Sequence, residues 1–310
     1  MSIVVTGASG FIGGAVARAL AERGADVLSI GRTDPGIDGV SHLDWDLRET
    51  APQALAARSA GIEALVHAAA LVADWGEATA FHEVNVAGTR RLLDALPRAR
   101  VVHLSSTEVY DPRADHEGLY EEGGPIGADG YLSDYARSKA AAEAVVQRVH
   151  PQAAILRPAP VYGPGDTHWF PAFARRIRRG VLRLPAAHGR LTSLTHIDNA
   201  VTAVLAALGR SHAAGPINVA DPHPYELRQA LNTYMARAGM APVRIEEQPA
   251  DLAMIRAWAA ERRARTLRRG RRAPHTTRVA VARLSRGRSY DVTRLRTVLG
   301  VEPRQELAPR

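Results

Sequence analysis

The chain has no cysteine and only one lysine among its 310 residues, and both scarcities narrow what it can do. Without cysteine there is no disulfide, no iron–sulfur cluster, no thiolate nucleophile and no cysteine-ligated zinc. The 12 histidines are scattered, with no pair at ligand spacing beside a carboxylate, so no metal site is expected. No apolar run is long enough to span a bilayer, and there is no internal repeat or low-complexity tract. A strand-like run beginning at Ser2 leaves no room for a signal peptide, and a cytoplasmic location is expected.

What is present is ordinary in amount and uneven in place. At 46% hydrophobic and 23% charged, the chain can bury one large domain or two unequal lobes. Of its 40 basic residues all but Lys139 are arginine, which reads as the mutational bias of a GC-rich genome rather than a binding signature. From Arg256 to Arg288 twelve arginines face one acid, Glu261; that stretch carries +11 against a net +8, leaving the rest at −3. A basic protein of this kind is not expected to bind nucleic acid as a whole.

Short apolar runs alternate with amphipathic stretches over the first two-thirds, the pattern of βαβ units on a parallel sheet. Strands are predicted at Ile3–Val5, Val27–Ile30, Leu43–Leu47, Ala64–His67, Val101–Ser105 and Ala153–Leu156. Helices are predicted at Phe11–Arg23, Ala78–Leu96 and Ser133–Val149. Beyond Val161 come a Pro/Gly-rich stretch, a helix over Ile197–Leu208, a strand at Ile217–Ala220 that returns to the sheet, the arginine-rich run and a short helix around Leu295–Leu299. The expected fold is α/β, a Rossmann-type doubly wound sheet, with a dinucleotide domain over 1–160 and mainly a smaller substrate lobe over 161–310.

Thr6-Gly7-Ala8-Ser9-Gly10-Phe11-Ile12-Gly13 follows the first strand and opens the first helix. Gly7 suits the tight turn, Gly10 the approach of backbone to a pyrophosphate, and Gly13 the close packing of helix on strand. A cofactor with a free ribose 2′-hydroxyl usually meets an acid after the second strand, and a 2′-phosphate needs a cation. Here Arg32 stands at that place, with Asp34 near enough to turn in. NADP(H) is therefore expected over NAD(H), although an incidental surface arginine is the plain alternative. Asp46, with Leu47, is the expected adenine-side contact.

Tyr135 and Lys139 are four apart and share one face of a helix. A phenol near pH 10 transfers protons poorly at neutrality, and an adjacent ammonium is expected to lower it. A chain with one lysine in this place implies that an arginine does not serve there. A third hydroxyl should come from the end of the preceding strand, where Ser106 is preferred and Ser105 and Thr107 compete.

These motifs together make the chain resemble an extended short-chain dehydrogenase/reductase of the NAD-dependent epimerase/dehydratase superfamily. The resemblance also rests on His67-Ala68-Ala69-Ala70, Asn85-Val86-Ala87-Gly88-Thr89, the run Leu156-Arg157-Pro158 to Gly163-Pro164-Gly165-Asp166, His196-Ile197-Asp198-Asn199, Tyr290-Asp291-Val292 and Leu299-Gly300. It implies Tyr135 as acid/base, Lys139 as its electrostatic and ribose partner, Ser106 as the carbonyl-orienting hydroxyl and Asn85 as a structural and relay residue. It implies cofactor contacts from Ser9, Phe11, Ile12, Ala68, Ala69, Ala70 and Pro158, and a homodimer packed through the Ala78–Leu96 and Ser133–Val149 helices.

Within that family the sugar-nucleotide enzymes usually hold a diphosphate through an asparagine near Pro158-Ala159-Pro160 and an arginine at the position of Thr192; both are missing here. Trp75 and the segment Asp166-Thr167-His168-Trp169-Phe170-Pro171 instead resemble the 3β-hydroxysteroid dehydrogenase-like and β-keto acid reductase-like branch, as does Arg283-Leu284-Ser285-Arg286. The expected substrate is a hydrophobic β-keto/β-hydroxy or sterol-like compound, possibly carrier- or coenzyme A-linked. Trp75, Thr107, Glu108, Tyr162, Trp169 and Phe170 are the candidate contacts, with lobe core as the plain reading of the aromatics. The alternatives are a nucleotide-sugar epimerase, dehydratase or reductase and a non-catalytic dinucleotide sensor. For the arginine-rich run the plain expectation is a solvated helix and loop; steering of an acidic partner is the next reading, then a membrane surface or nucleic acid.

Overall fold

A computed structural model describes residues 1–185, 189–267 and 272–307. Seven parallel strands form the main sheet: β1 (Ser2–Thr6), β2 (Asp26–Gly31), β3 (Val40–Asp44), β4 (Ala64–His67), β5 (Arg100–Leu104), β6 (Ala154–Pro158) and β7 (Gly215–Val219). Their order is 3-2-1-4-5-6-7, reversing at β1 as in doubly wound sheets.

Apart from the edge strand β3, whose residues are half-buried or exposed, the strands are largely buried on both faces, and their residues alternate between two cores as a period of two requires. Ile3, Val5, Val27 and Val66 pack on one side with Val16, Leu20, Val204 and Leu295. Val4, Leu28, Leu65 and Ile155 pack on the other with Leu55, Leu92, Leu96 and Val146. β7 pairs with β6 from Gly215 to Val219, so the strand expected near 217 does rejoin the sheet.

One strand differs from expectation. β3 runs Val40–Asp44, not Leu43–Leu47, and pairs in parallel with Val27–Gly31. Trp45 and Leu47 continue the alternation that imitates a strand, yet both are side chains of the second core beyond the ladder's end. Asp46 thus lies two residues past the strand.

The remaining residues build a smaller lobe around Tyr162, Phe170, Phe173, Leu182, Leu194, Leu231 and Leu284. A four-stranded sheet brings His116–Leu119, Arg288–Tyr290, Leu191–Thr192 and Tyr225–Glu226 together. Of the arginine-rich run the described residues include helices Ala250–Leu267 and Arg278–Ser285, which bury Ala253, Ala257 and Val281 against each other, so the helix expected to be solvated has one buried side. Arg268, Arg269 and Arg271 lie outside the described residues.

Candidate active site

The glycine turn is shaped by close approach. Gly7 has φ +73, and a β-carbon there would lie 2.8 Å from the Ala69 nitrogen. One on Gly13 would lie 2.3 Å from the Gly7 carbonyl oxygen, and one on Gly14 2.7 Å from that of Ala8. Gly14 is a packing glycine that motif spacing did not single out. The helix Phe11–Ala21 starts after Gly10 with no side chain capping it, and Ser9 and Gly10 are exposed. Its first amides are open to an anion, so the cradle fits a dinucleotide pyrophosphate.

The loop Ala68–Ala70, half-buried after β4, is held against this turn by a chain of hydrogen bonds whose direction can be deduced. Thr89 Oγ1 donates to the Asn85 carbonyl at 2.6 Å, so its proton is spent. His67 Nε2, 2.8 Å away, must then donate to Thr89. Burial foremost, with the charge of Lys139, pushes His67 down to about 3, so the ring is neutral and Nδ1 accepts from Thr6 Oγ1 at 2.8 Å. Thr6 in turn accepts from the Ala69 amide at 3.1 Å. Loop and helix are locked in one pattern.

Asn85 sits in a π turn, His82–Ala87, between helices Ala78–Phe81 and Gly88–Ala95. Its Oδ1 accepts from the Leu71 amide at 2.7 Å; its Nδ2 donates to the Leu71 carbonyl at 3.0 Å and to Ser138 Oγ at 2.8 Å. Ser138 donates to the Tyr135 carbonyl at 2.7 Å. Asn85 therefore ties the loop after β4 to the helix that carries the tyrosine.

That helix, Asp134–Val149, is capped by Ser133, whose hydroxyl accepts from the Ala136 amide. Tyr135 is half-buried, and the Ser106 hydroxyl is the neighbour that acts on its phenol to lower it. The three competing hydroxyls separate cleanly. Ser105 donates to Glu143 Oε1, the Thr107 hydroxyl acts on Tyr290, and of the three only Ser106 acts on the Tyr135 phenol. Ser106 also accepts from the Glu108 amide at 3.1 Å, capping the short turn Thr107–Val109.

Lys139 is buried, and its Nζ donates to the Leu104 carbonyl at 2.6 Å. Burial lowers its ammonium to about 8, with Glu143 opposing. The expected lowering of Tyr135 does not occur. Burial, then the Glu108 carboxylate, raises the phenol well above its ordinary value, against the Ser106 hydrogen bond and Arg283. The Tyr135 phenol therefore keeps its proton at pH 7.

Two arginine–carboxylate groups not read from the sequence border this pair. Under the helix, Arg157 binds Glu143 through Nε at 3.0 Å and a second nitrogen at 2.8 Å, both side chains fully buried. The same guanidinium reaches the Tyr110 hydroxyl and the Glu121 and Gly124 carbonyls, while Tyr110 bonds Asn218 of β7. On the open side Arg283 bonds Glu108 and Asp74, both at 2.8 Å. The sequence signals were faint: Glu143 stands one turn after Lys139, and Glu108 two residues after Ser106.

Other predicted residues fall in different places. Thr107, Glu108, Pro160, Thr192, Arg283 and Tyr290 line one cavity. Trp75 and Phe81 line another with Arg137 and Arg278, and the Arg265 guanidinium lies 4.9 Å over the Trp75 ring. Tyr162 and Phe170 are in the lobe core, 3% and 1% exposed; Phe170 stacks on Tyr234 at 3.8 Å and Tyr162 bonds Asp221. Trp169 packs edge-on to Phe173. The structure thus gives Tyr162 and Phe170 a packing role in place of the expected substrate contact, because the lobe needs an apolar centre. Arg32 is exposed beyond β2, while Asp34 caps the Gly36 amide of its own turn. The Arg48 side chain, foremost, holds Asp46 down to about 2. Leu47 packs beneath Gly88, and Pro158 is buried at the end of β6. Among the described residues no His, Asp or Glu cluster could hold a metal.

A family model described as the NAD dependent epimerase/dehydratase family matches residues 3–220. The 2-alkyl-3-oxoalkanoate reductase of Stenotrophomonas maltophilia is 32% identical over 319 residues, covering 98% of this chain and 95% of that protein. The 4-hydroxy-2-methyl-3-oxo-4-farnesyl-3,4-dihydroquinoline-1-oxide ketoreductase of Stigmatella aurantiaca is 29% identical, covering 97% and 91%. A short-chain dehydrogenase/reductase superfamily protein from Agrobacterium tumefaciens, solved with bound NAD, has a TM-score of 0.75 at 21% identity, covering 99% of this chain and 94% of that one. That last likeness is one of fold.

Proposed function

The chain belongs to the NAD dependent epimerase/dehydratase family, the extended short-chain dehydrogenases/reductases, and is an NAD(P)-dependent oxidoreductase; from that premise we propose that it is an NADP(H)-dependent ketoreductase, or secondary-alcohol dehydrogenase in reverse. Its substrate in this reading is a hydrophobic β-keto/β-hydroxy or sterol-like compound. The observation that carries the reading is the half-buried Tyr135 phenol, on which the neighbouring Ser106 hydroxyl acts. Two neutral O–H groups converge there, one to orient a carbonyl oxygen and one to protonate it.

The cofactor, when bound, supplies or takes the hydride. Gly7, Ser9, Gly10 and the first amides of the Phe11–Ala21 helix would hold its pyrophosphate, and Arg32 a 2′-phosphate. Ala68 to Ala70 and Pro158 would border it, and Lys139 would meet its ribose. Tyr135 gives its proton to the carbonyl oxygen during reduction and takes it back during oxidation. Ser106 donates to the same oxygen, so negative charge developing there meets a fixed donor.

Pro160 and Thr192 support the choice of substrate. They stand where sugar-nucleotide enzymes of the family hold a diphosphate, and the cations of the cavity they line, Arg283 and Arg288, are taken up by Glu108 and Asp74 and by backbone carbonyls. The relatives named as reductases of oxoalkanoates and of a farnesylated quinoline support it too. We further propose a homodimer joined through the helices at Ala78–Ala95 and Asp134–Val149.

Turnover of a β-keto acid and sterol ketone panel, set against UDP- and dTDP-sugars with NADPH and NADH, tests the reading. Activity on a sugar nucleotide alone overturns it. Tyr135→Phe should lower ketone reduction by roughly 10²- to 10⁴-fold while NADPH still binds by fluorescence; near-normal turnover would remove Tyr135 as the acid.

A further inference from the structure

The helix Ala250–Leu267 has two unlike sides. Ala253, Ala257, Glu261 and Ala264 are buried, and the first two pack on Val281. The opposite side carries Leu252, Ile255 and Trp258, which are 41%, 64% and 49% exposed. Only seven large apolar side chains are exposed among the described residues, and three of them share this stripe. Arg256, Arg262 and Arg263 stand exposed on the same side, with the Arg262 guanidinium 5.5 Å over the Trp258 ring. The acids are few: Asp251 stands at the helix start, and Glu261 is turned inward onto Arg278 at 2.7 Å.

We propose that this face docks the protein on the surface of an anionic phospholipid bilayer. Three apolar side chains, one of them tryptophan, fit the boundary between headgroups and acyl chains, while the guanidiniums beside them meet lipid phosphates. Charge complementarity selects this occupant. A second copy of the chain would set Arg256, Arg262 and Arg263 against their own counterparts. Three side chains also fall short of the roughly 800 Å² per partner that a stable protein interface covers. No helix of the described residues is long and apolar enough to cross a membrane, so the contact is peripheral.

The inner edge of the same helix adds a consequence. Arg265 lies over Trp75, and Glu261 and Arg265 line a cavity with Phe81, whose ring is 6.5 Å from that of Tyr135. Docking would set that cavity beside the bilayer, where a lipophilic ketone partitions. This consequence rests on the ketoreductase reading, whereas the docking itself does not.

Cosedimentation of the full chain with phosphatidylcholine vesicles, with and without phosphatidylglycerol, tests the proposal. Binding should require phosphatidylglycerol and weaken roughly tenfold in high salt. The double variant Ile255→Ser/Trp258→Ser should weaken it by roughly tenfold or more, with thermal melting and turnover of a water-soluble ketone unchanged. Arg262→Glu/Arg263→Glu should do the same by charge alone. Binding to neither vesicle, equal binding to both, or wild-type binding by both variants overturns the proposal. So does salt-sensitive binding to polyglutamate in place of vesicles, which would assign the face to an acidic protein. A dimer that the Ile255→Ser/Trp258→Ser variant dissociates, seen by native mass, would assign it to a second copy.

Discussion

Two arginine–carboxylate groups flank the Tyr135 helix, and they differ in what surrounds them. Arg157 and Glu143 are sealed from water, bidentate, and satisfied on every side by Ser105, Tyr110 and backbone carbonyls. Arg283 with Glu108 and Asp74 lies at a cavity wall, its side chain 21% exposed and its partners reached from loops far apart in the chain. The same chemistry therefore serves two ends. In the sealed group each charge is unaffordable without the other, so the pair fixes where the helix sits on β5 and β6. In the half-open group water softens the loss of a partner, and what remains is an electrostatic setting for the phenol. Glu108 raises Tyr135 and Arg283 lowers it.

Breaking the sealed pair should produce the largest change. Glu143→Ala leaves Arg157 buried and unpaired and should cost about 3–5 kcal/mol in denaturant unfolding. A loss below about 1 kcal/mol would place the pair in the same class as a surface bridge. Lys139→Arg comes next. The wider fork cannot occupy the slot at the Leu104 carbonyl as the ammonium does, and turnover should fall roughly 10²-fold with melting little changed. The wild-type rate of reduction should also decline as pH rises through about 8, where Lys139 loses its proton, and that decline should vanish in Lys139→Arg. An unaltered profile would show that the lysine's charge is not needed.

Arg283→Gln should have the smallest effect on stability, about 1 kcal/mol. Its signature is in the pH profile instead. With the cation gone Glu108 and Asp74 act on the phenol unopposed, so Tyr135 rises further. If Tyr135 is the acid/base as proposed, alcohol oxidation draws on its deprotonated form and should then reach half of its maximum at a higher pH than in the wild type. A shift to lower pH, or none, would mean that the open group is structural like the sealed one.

Features set by near neighbours in the chain were legible beforehand. The turn after β1 was readable because Gly10 and Gly13 answer to Gly7 and Ala8 a few residues away, whereas the close approach that Gly7 makes to Ala69 appears only in the tertiary structure. The strand alternation and the face shared by Tyr135 and Lys139 are likewise properties of a local period. Reading failed where a local pattern had two meanings. Leu43, Trp45 and Leu47 alternate like a strand, yet only the first is on the ladder with β2. Tyr162 and Phe170 look equally apt for a pocket wall and for a lobe core, and burial at 3% and 1% chose the core. Arg283 meets Glu108 across 175 residues, a separation at which no spacing carries information.

The opening scarcity divides in the same way. The sequence by itself determined that a tyrosine and the chain's one lysine would share a helix face downstream of a glycine turn, because helical periodicity and the glycine spacing of a turn are properties of a few consecutive residues. Only the tertiary structure decided which of three consecutive hydroxyls meets the phenol and whether its proton is held more or less tightly than in water. Those depend on burial and on Glu108, Asp74 and Arg283, brought together from three distant segments. It also turned part of the arginine-rich run inward, where Arg283 joins the site, and part outward, where Arg262 covers Trp258.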